Sequence, residues 1–106
     1  MNKFMRILVL FDLPVKTPKQ RKIATKFRNY LLKDGYHMLQ FFIYTRVCNG
    51  VDAVDKHKKR LYCNVPENGS IRLLVLTEKQ YETMEILVGE LKEDDTSFVC
   101  QQLTIF

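Results

Sequence analysis

A chain of 106 residues, of which 46% are hydrophobic and 27% charged, is long enough for one compact domain and too short for two. This balance excludes a disordered polypeptide, and no apolar run reaches the roughly 18–20 residues of a bilayer-crossing helix. We therefore expect a single domain over residues 1–106, with a core over about residues 1–77 and a β extension over about residues 78–106.

The charge is segregated along the chain. Residues 1–76 contain fifteen Lys or Arg against five Asp or Glu, whereas residues 77–106 contain two against seven. A body near +10 with a tail near −5 favours a surface that binds a polyanion, although colloidal solubility is the simpler explanation of net charge alone.

The cysteines are odd in number, widely spaced and without a CxxC pair: Cys48, Cys63 and Cys100. His37 and His57 are isolated from them and from each other, so we expect each histidine to be structural or solvated, and we expect no zinc site. This pattern favours reduced thiols in a cytoplasmic protein. The first apolar stretch ends at Asp12 without a small-residue cleavage site, so we expect no signal peptide.

The first two elements are clearly delimited. Residues 6–12 are almost continuously apolar, which predicts a central strand buried on both faces. A helix follows, because Thr17 can cap it, Pro18 suits its first position and Gln20 completes a capping box. Its predicted buried stripe consists of Ile23, Phe27, Tyr30 and Leu31. Gly35 predicts its end.

The rest of the chain contains shorter elements. Residues 36–48 have the aromatic and aliphatic density of strands. A second helix is predicted to begin near Asn49 or Asp52, with an apolar side of Val51, Val54, Leu61 and Tyr62. The remaining predictions are a turn at 66–69, a strand at 71–77, a helical turn at 78–83, a short strand at 85–88, an acidic loop at 89–97 and a last strand at 101–106.

Two helices between strands fit an α+β, ferredoxin-like split βαβ sandwich with both helices on one face of the sheet. This fold requires residues 36–48 to form two antiparallel strands, although they contain no turn residue.

Asp12 is the first candidate for chemistry, because it ends the first strand just before Leu13-Pro14. Magnesium binds through one or two carboxylates together with water and phosphate oxygens. One Asp12 is a poor site, whereas two copies related by a two-fold axis would share one. The alternative is that Asp12 caps the turn by accepting hydrogen bonds from backbone amides.

The first helix and its approach are positively charged without interruption before Asp34: Lys16, Lys19, Arg21, Lys22, Lys26, Arg28 and Lys33. Because surface helices usually mix signs, this run indicates phosphate contacts, and a solvated outer face is the alternative. A second cluster at 56–60 lies beside acidic residues, so we expect it to be solvated. The aromatic residues Phe41, Phe42 and Tyr44 predict core or dimer contacts, with base stacking as the alternative.

Several segments, taken in order, carry a family resemblance. They are FDLP at 11–14, the basic helix with Arg21, Phe27-Arg28 and Leu31, DGY at 34–36, MLQFFIY at 38–44, TEKQY at 77–81 and ILVG at 86–89. Together they resemble the CRISPR-associated protein 2 family, most closely members from systems with a single large RNA-guided effector nuclease. The chain departs from the family at Phe42, where a small residue, commonly Ser, is usual.

The resemblance implies a ferredoxin-like protomer that bends near Gln40 and forms a homodimer, with the C-terminal strand added to the partner's sheet. It implies that the two Asp12 carboxylates face each other and bind Mg²⁺ or Mn²⁺ for endonuclease chemistry on single-stranded RNA or double-stranded DNA.

The resemblance also implies a role in spacer acquisition, in which the dimer bridges two CRISPR integrase dimers and holds protospacer duplex DNA. Nucleic-acid contacts would fall to Lys16, Lys19, Arg21, Lys22, Lys26 and Arg28. We expect the acidic residues 90–95 and the C-terminal strand to contact the integrase. The alternative is a ferredoxin-like RNA-binding or small-ligand regulatory module without nuclease activity.

Overall fold

The structure, a computed structural model, describes residues 3–89. Its elements are β1 (Phe4–Asp12), α1 (Pro18–Lys33), β2 (His37–Gln40), β3 (Ile43–Asn49), α2 (Val51–Tyr62), β4 (Ser70–Thr77) and α3 (Glu78–Glu82). The strands form one antiparallel sheet in the order β2-β3-β1-β4. This is the predicted ferredoxin-like α+β sandwich. Within residues 3–89, no helix has both the length and the apolar character needed to cross a membrane.

One face of the sheet packs against α1 and α2. Ile7, Val9 and Phe11 alternate along β1 and form a core cluster with Phe27 and Leu31 of α1. The Phe11 and Phe27 rings meet edge to face with centroids 5.2 Å apart. This contact fixes α1 over the centre of the sheet and close to the end of β1.

The opposite face of β1 is only partly covered, which differs from the prediction of a strand buried on both faces. Arg6 and Leu8 are buried, but Leu10 is 36% exposed. The reason is the layering: both long helices lie on the other face, and α3 reaches only one end, where Tyr81 lies over the Arg6 guanidinium.

The start of α1 is as predicted. Thr17 accepts a hydrogen bond from the Gln20 amide, and the Gln20 side chain accepts one from the Thr17 amide, which completes the capping box. Gly35, just beyond the helix, has a φ of +96°. Of the predicted stripe, Phe27 and Leu31 are buried, whereas Ile23 is 39% exposed.

Residues 36–48 form two strands, as the ferredoxin-like prediction required, and Phe41 and Phe42 make the turn between them. Phe42 has a φ of +70°, a conformation that usually belongs to Gly or Asn. Tyr44 is buried in the core, as predicted, whereas both Phe rings are exposed. The Phe42 ring meets the core only at its edge, where it lies edge to face with Phe11.

The second helix differs from the prediction in its cap and its buried face. Gly50 stands at the N-cap and provides no side-chain hydrogen bond. The buried residues are Val54, His57 and Leu61, whereas Val51 and Tyr62 are exposed. The last two residues lie roughly 90–100° around the helix from the buried stripe, which explains the error.

The predicted strand at 85–88 was wrong. These residues join no ladder of the described sheet, and Leu87 and Val88 are almost fully exposed. The acidic residues 90–95, most of the predicted 89–97 loop and the predicted strand at 101–106 lie outside the described residues.

Candidate metal and nucleic-acid site

Asp12 is the last residue of β1 and lies opposite Ser70 of β4. Its side chain is exposed, and within residues 3–89 its carboxylate accepts no hydrogen bond and forms no ion pair. The next residue, Leu13, is 6% exposed and belongs to the core cluster. The sheet on one side and Leu13 on the other therefore fix the backbone that carries this carboxylate.

Gly69 makes this arrangement possible, and the sequence analysis assigned it no role beyond a turn. Its φ is +106°, and a Cβ there would lie 2.5 Å from a Leu13 methyl carbon and 2.9 Å from the Asp12 carbonyl oxygen. The turn before β4 thus passes directly against the end of β1. A glycine in a turn between a helix and a strand was the only signal available in the sequence.

Strand alternation places Asp12 on the face of the sheet opposite α1 and α2. Cross-strand pairing puts Leu10 beside Arg72 on this face, and Leu8 beside Leu74. We call this region, defined by Leu10, Asp12, Arg72 and Leu74, the open sheet face. Its leucines are exposed, at 36% for Leu10 and 51% for Leu74. The carboxylate therefore stands at the edge of an apolar surface that the described protomer leaves open.

Arg72 is a functional candidate that the sequence analysis missed. It is the diagonal neighbour of Asp12 across the β1–β4 pair, at a separation of about 7–8 Å. It is exposed, and among residues 3–89 it has no acidic partner. Its alternation with Ile71 and Leu73 in the predicted strand was the signal that could have found it.

Residues 3–89 of one protomer do not form a multidentate metal site. Within the part of the chain that the structure describes, no three His, Cys, Asp or Glu side chains come together in a suitable cluster. One exposed carboxylate suits Mg²⁺ or Mn²⁺ only when water, phosphate oxygens or a second carboxylate supply the remaining ligands. Asp12 fits that requirement, and it needs a second copy of the chain to make a shared site.

The predicted basic residues are all exposed, but they lie on two sides of α1. Successive residues turn by 100°, which puts Lys19, Lys22 and Lys26 within about 60° of one another and puts Arg21 and Arg28 roughly opposite them. The first three form what we call the lysine flank. Lys16 precedes the helix.

The two arginines make local contacts. The Arg21 guanidinium donates to the carbonyl oxygens of Val15 and Lys16, at 3.2 and 3.1 Å, and so holds the loop between β1 and α1. Burial raises the pKa of Tyr44, and the nearby Arg28 charge opposes that rise. The charge of Arg28 is therefore near enough to Tyr44 of β3 to act on its hydroxyl group. The structure does not bring these arginines together with the lysine flank.

The lysine flank keeps its charge available for a ligand. The ion pairs between described residues involve Arg6 with Glu78, and Asp34 with His57 and Arg60. None of them uses a lysine of α1, and the first turn of that helix contains no acidic residue. The result is a rigid, capped helix with an uncompensated positive side, which is the electrostatic requirement for binding phosphate groups.

Comparison with known proteins identifies the family. The family model described as "CRISPR associated protein Cas2" matches residues 5–84. A protein named "CRISPR-associated endoribonuclease Cas2" from Acidovorax ebreus is 53% identical over 85 residues, covering 80% of this chain and 83% of the relative.

Two proteins of the same name from other bacteria are also similar to this chain. The Campylobacter jejuni protein is 46% identical over 83% of this chain and 62% of its own length, and the Flavobacterium psychrophilum protein is 45% identical over 94% and 86%. The matched region covers every described element from β1 to α3 except Phe4, the first residue of β1. The chain belongs to the CRISPR-associated Cas2 family.

Proposed function

We propose that this chain acts in CRISPR spacer acquisition as a homodimer that holds duplex DNA and bridges two integrase dimers. The observation that carries the proposal is the lysine flank, which has no ion pair among the described residues and is presented on a helix fixed to the core. Contacts of this kind bind phosphates irrespective of base sequence and weaken with salt.

The test is a charge reversal with a matched control. Lys19→Glu/Lys22→Glu/Lys26→Glu replaces the lysine flank, and Lys56→Glu/Lys58→Glu/Lys59→Glu makes the same change on α2. Fluorescence anisotropy with a short DNA duplex is measured over a salt series. We expect the first variant alone to lose affinity for all duplex sequences, with the slope of log K against log salt reduced in magnitude by up to about 5, because six lysines of the dimer are replaced. Equal effects in both variants would remove α1 as the specific footprint.

The assembly is tested separately. The purified chain, a CRISPR integrase from the same organism and a short duplex are mixed and examined by size-exclusion chromatography with light scattering. We expect one complex that contains two copies of this chain and four of the integrase. Separate elution of the two proteins at micromolar concentration would contradict the bridging role.

A second activity, hydrolysis of phosphodiester bonds, is favoured by the position of Asp12. Its carboxylate stands on the open sheet face, and packing that face against its copy about a two-fold axis would bring two carboxylates together. The similar proteins are named endoribonucleases, which makes single-stranded RNA the first substrate to test. Duplex DNA is the second.

Asp12 and Arg72 would have different roles in this activity. The two Asp12 carboxylates would hold Mg²⁺ or Mn²⁺, which in such sites activates water and neutralises charge on the phosphate. Arg72, diagonal to Asp12, would attract the phosphate to the site. Asp12→Asn is expected to abolish metal-dependent cleavage while the dimer and nucleic-acid binding remain. Cleavage at the parent rate would assign the activity to another group.

A further inference from the structure

A groove lies between α1 and the segment that leads from α2 to β4. Its volume is about 400 Å³, within the range of sites that take small organic ligands. One wall is formed by α1, and the other by residues 63–68. Leu13 and Pro14, which directly follow Asp12, also line it. The groove therefore reaches the loop that follows β1, on the helical side of the sheet, whereas the Asp12 side chain lies on the other face.

The groove combines an apolar interior with charged and polar edges. Ile23, 39% exposed on α1, faces Val65, 41% exposed on the opposite wall. Ile23 is the position where α1 departs from its expected buried stripe, since it was predicted to be in the core. Lys19 and Lys26 stand one turn to either side of Ile23, about 10 Å apart along the helix.

The polar groups suit a planar heterocycle. The Asn64 side-chain amide nitrogen donates to the Arg60 carbonyl oxygen, which leaves the Asn64 oxygen as an acceptor in the groove. Glu67 and Asn68 also line it, and their side chains have no hydrogen-bond partner among residues 3–89. Carboxylates and amides of this kind pair with the exocyclic amines and ring nitrogens of bases.

Tyr30 supplies a fixed aromatic wall. Its hydroxyl group is directed at Asp34, 3.4 Å away, and its ring stacks on Phe27 with centroids 6.4 Å apart. The contacts with Asp34 and Phe27 thus fix the orientation of the Tyr30 ring, which lines the groove. An aromatic wall, apolar contacts and nearby cations are the features with which proteins bind unpaired bases without demanding one sequence.

We propose that this groove is a subsite for one unpaired nucleobase, with the adjoining phosphates on Lys19 and Lys26. The proposal rests on the proposed nucleic-acid function and deepens it: a strand whose phosphates lie on the lysine flank inserts one base into the groove between α1 and residues 63–68. It predicts that single-stranded ends or unpaired nucleotides bind differently from a blunt duplex.

Cys63 provides a direct reporter. It lines the groove and is exposed, whereas Cys48 is buried. The rate of Cys63 alkylation by iodoacetamide is followed by peptide mass spectrometry with the full chain. Four probes are compared at equal measured occupancy: a single-stranded hexaribonucleotide, a blunt duplex, a strand of the same length as the hexaribonucleotide whose sugars lack bases, and an oligoglutamate peptide.

The hexaribonucleotide is expected to slow Cys63 alkylation about tenfold at ten times its Kd, because only about one protein in eleven is then free. The abasic strand and the blunt duplex are expected to leave the rate within about twofold of the free protein. Ile23→Glu should abolish the protection, whereas Leu32→Glu should preserve it, because Leu32 is an exposed apolar position on α1 outside the groove.

The outcomes separate the subsite from the proposed function. If the duplex and the hexaribonucleotide bind but neither protects Cys63, the subsite is wrong and the nucleic-acid function stands. Equal protection by the abasic strand would also overturn it, since phosphate binding alone would then explain the effect. Protection by an oligoglutamate peptide but not by any nucleic acid would assign the groove to an acidic protein segment. If no nucleic acid binds at all, the proposed function fails as well.

Discussion

His57 and Asp34 join the two long helices: Nδ1 of His57 in α2 lies 2.8 Å from Oδ2 of Asp34, the C-cap residue of α1. The same carboxylate accepts a hydrogen bond from Arg60, 2.9 Å away, and the Asp34 carbonyl oxygen accepts one from Arg46 of β3. The ring of His57 is 3% exposed. One acidic residue therefore connects α1, α2 and β3.

The Asp34 network predicts a loss of stability in acid. Burial raises the pKa of Asp34, but the hydrogen bonds from His57 and Arg60 and their charges outweigh it and lower the pKa below 3.8. A carboxyl group with a depressed folded-state pKa contributes stability that is present above its unfolded pKa and is lost as pH falls through the folded value. We therefore expect this contribution at pH 5 and above, and its loss below about pH 4.

Asp34→Asn tests this expectation. The change removes an acceptor of charged hydrogen bonds and should lower the free energy of unfolding by about 2–3 kcal/mol at pH 6. The difference between parent and variant, measured by urea denaturation, should shrink as pH falls below 4. A difference that stays constant from pH 6 to pH 3 would show that the charge on Asp34 is not responsible.

Arg6 and Glu78 form a second buried connection, between β1 and α3. Arg6 Nε lies 2.7 Å from Glu78 Oε2 and a second nitrogen lies 3.1 Å from Oε1, while the guanidinium lies 4.0 Å from the centre of the Tyr81 ring. The Arg6 side chain is 7% exposed. Removing Glu78 alone should lower the free energy of unfolding more than replacing Arg6, because it leaves the buried Arg6 charge without a counterion.

A double-mutant cycle measures this asymmetry. Glu78→Ala is expected to destabilise the protein by about 3–5 kcal/mol and Arg6→Met by less, with a coupling energy of about 1–3 kcal/mol in the double variant. Urea denaturation of the four proteins gives each value. Additive effects would mean that the ion pair contributes nothing beyond the packing of the two side chains.

A comparison of Gly69 with Gly50 separates the free-energy cost of steric contact from that of an unfavourable φ. Gly69 and Gly50 have similar positive φ values of +106° and +98°, but a Cβ at Gly50 would meet nothing within 4 Å. Gly50→Ala should therefore lose about 1–3 kcal/mol from the unfavourable φ alone. Gly69→Ala should lose more, because Leu13 and the Asp12 carbonyl must also move.

Because Gly69 packs against the backbone of Asp12, the variants Gly69→Ala and Gly50→Ala can also be compared in a cleavage assay. Gly69→Ala is expected to lower metal-dependent cleavage more than Gly50→Ala at a temperature where both variants are folded, because it displaces the end of β1. Equal stability and equal cleavage in the two variants would remove the proposed support of Asp12 by Gly69.

Local signals in the sequence predicted much of this fold. Thr17, Pro18 and Gln20 define the start of α1 through contacts between near neighbours, and a capping box needs nothing from the rest of the chain. The turn at Phe41-Phe42 could not be read from residue types, because a Phe with a φ of +70° is tolerated only where tertiary contacts hold it. Here the Phe11 amide donates to the Phe42 carbonyl oxygen at 2.9 Å, and the two rings lie edge to face.

The residues of the candidate site also fall into two groups: those that a local sequence pattern predicts and those that depend on strand pairing. Asp12 was found because a polar residue at the end of an apolar strand is a local pattern. Arg72 and Gly69 were missed because their closeness to Asp12 depends on the pairing of β1 with β4, about 60 residues apart in the chain. Helix periodicity alone predicts that Arg21 and Arg28 lie apart from the lysine flank. Which of the two sides lies next to the groove depends on how α1 packs against the rest of the protein.

The open sheet face leads to the prediction that links dimerisation to chemistry. Leu74→Glu places a charge on an exposed apolar position of this face, and the matched change Val51→Glu alters an exposed apolar position of α2. Because a charge buried in an apolar interface without a partner costs several kcal/mol, Leu74→Glu should shift the protein to a monomer at micromolar concentration. Val51→Glu should leave the dimer intact.

Cleavage and binding are expected to respond differently to this change. The monomeric Leu74→Glu protein retains one Asp12 and should lose metal-dependent cleavage, while its lysine flank still binds duplex DNA with a salt slope reduced by about half. Light scattering, cleavage assays and anisotropy on the same preparations give the three quantities. A monomer that cleaves at the parent rate would mean that one Asp12 carboxylate suffices, and a dimer that survives Leu74→Glu would place the two-fold contact on another surface.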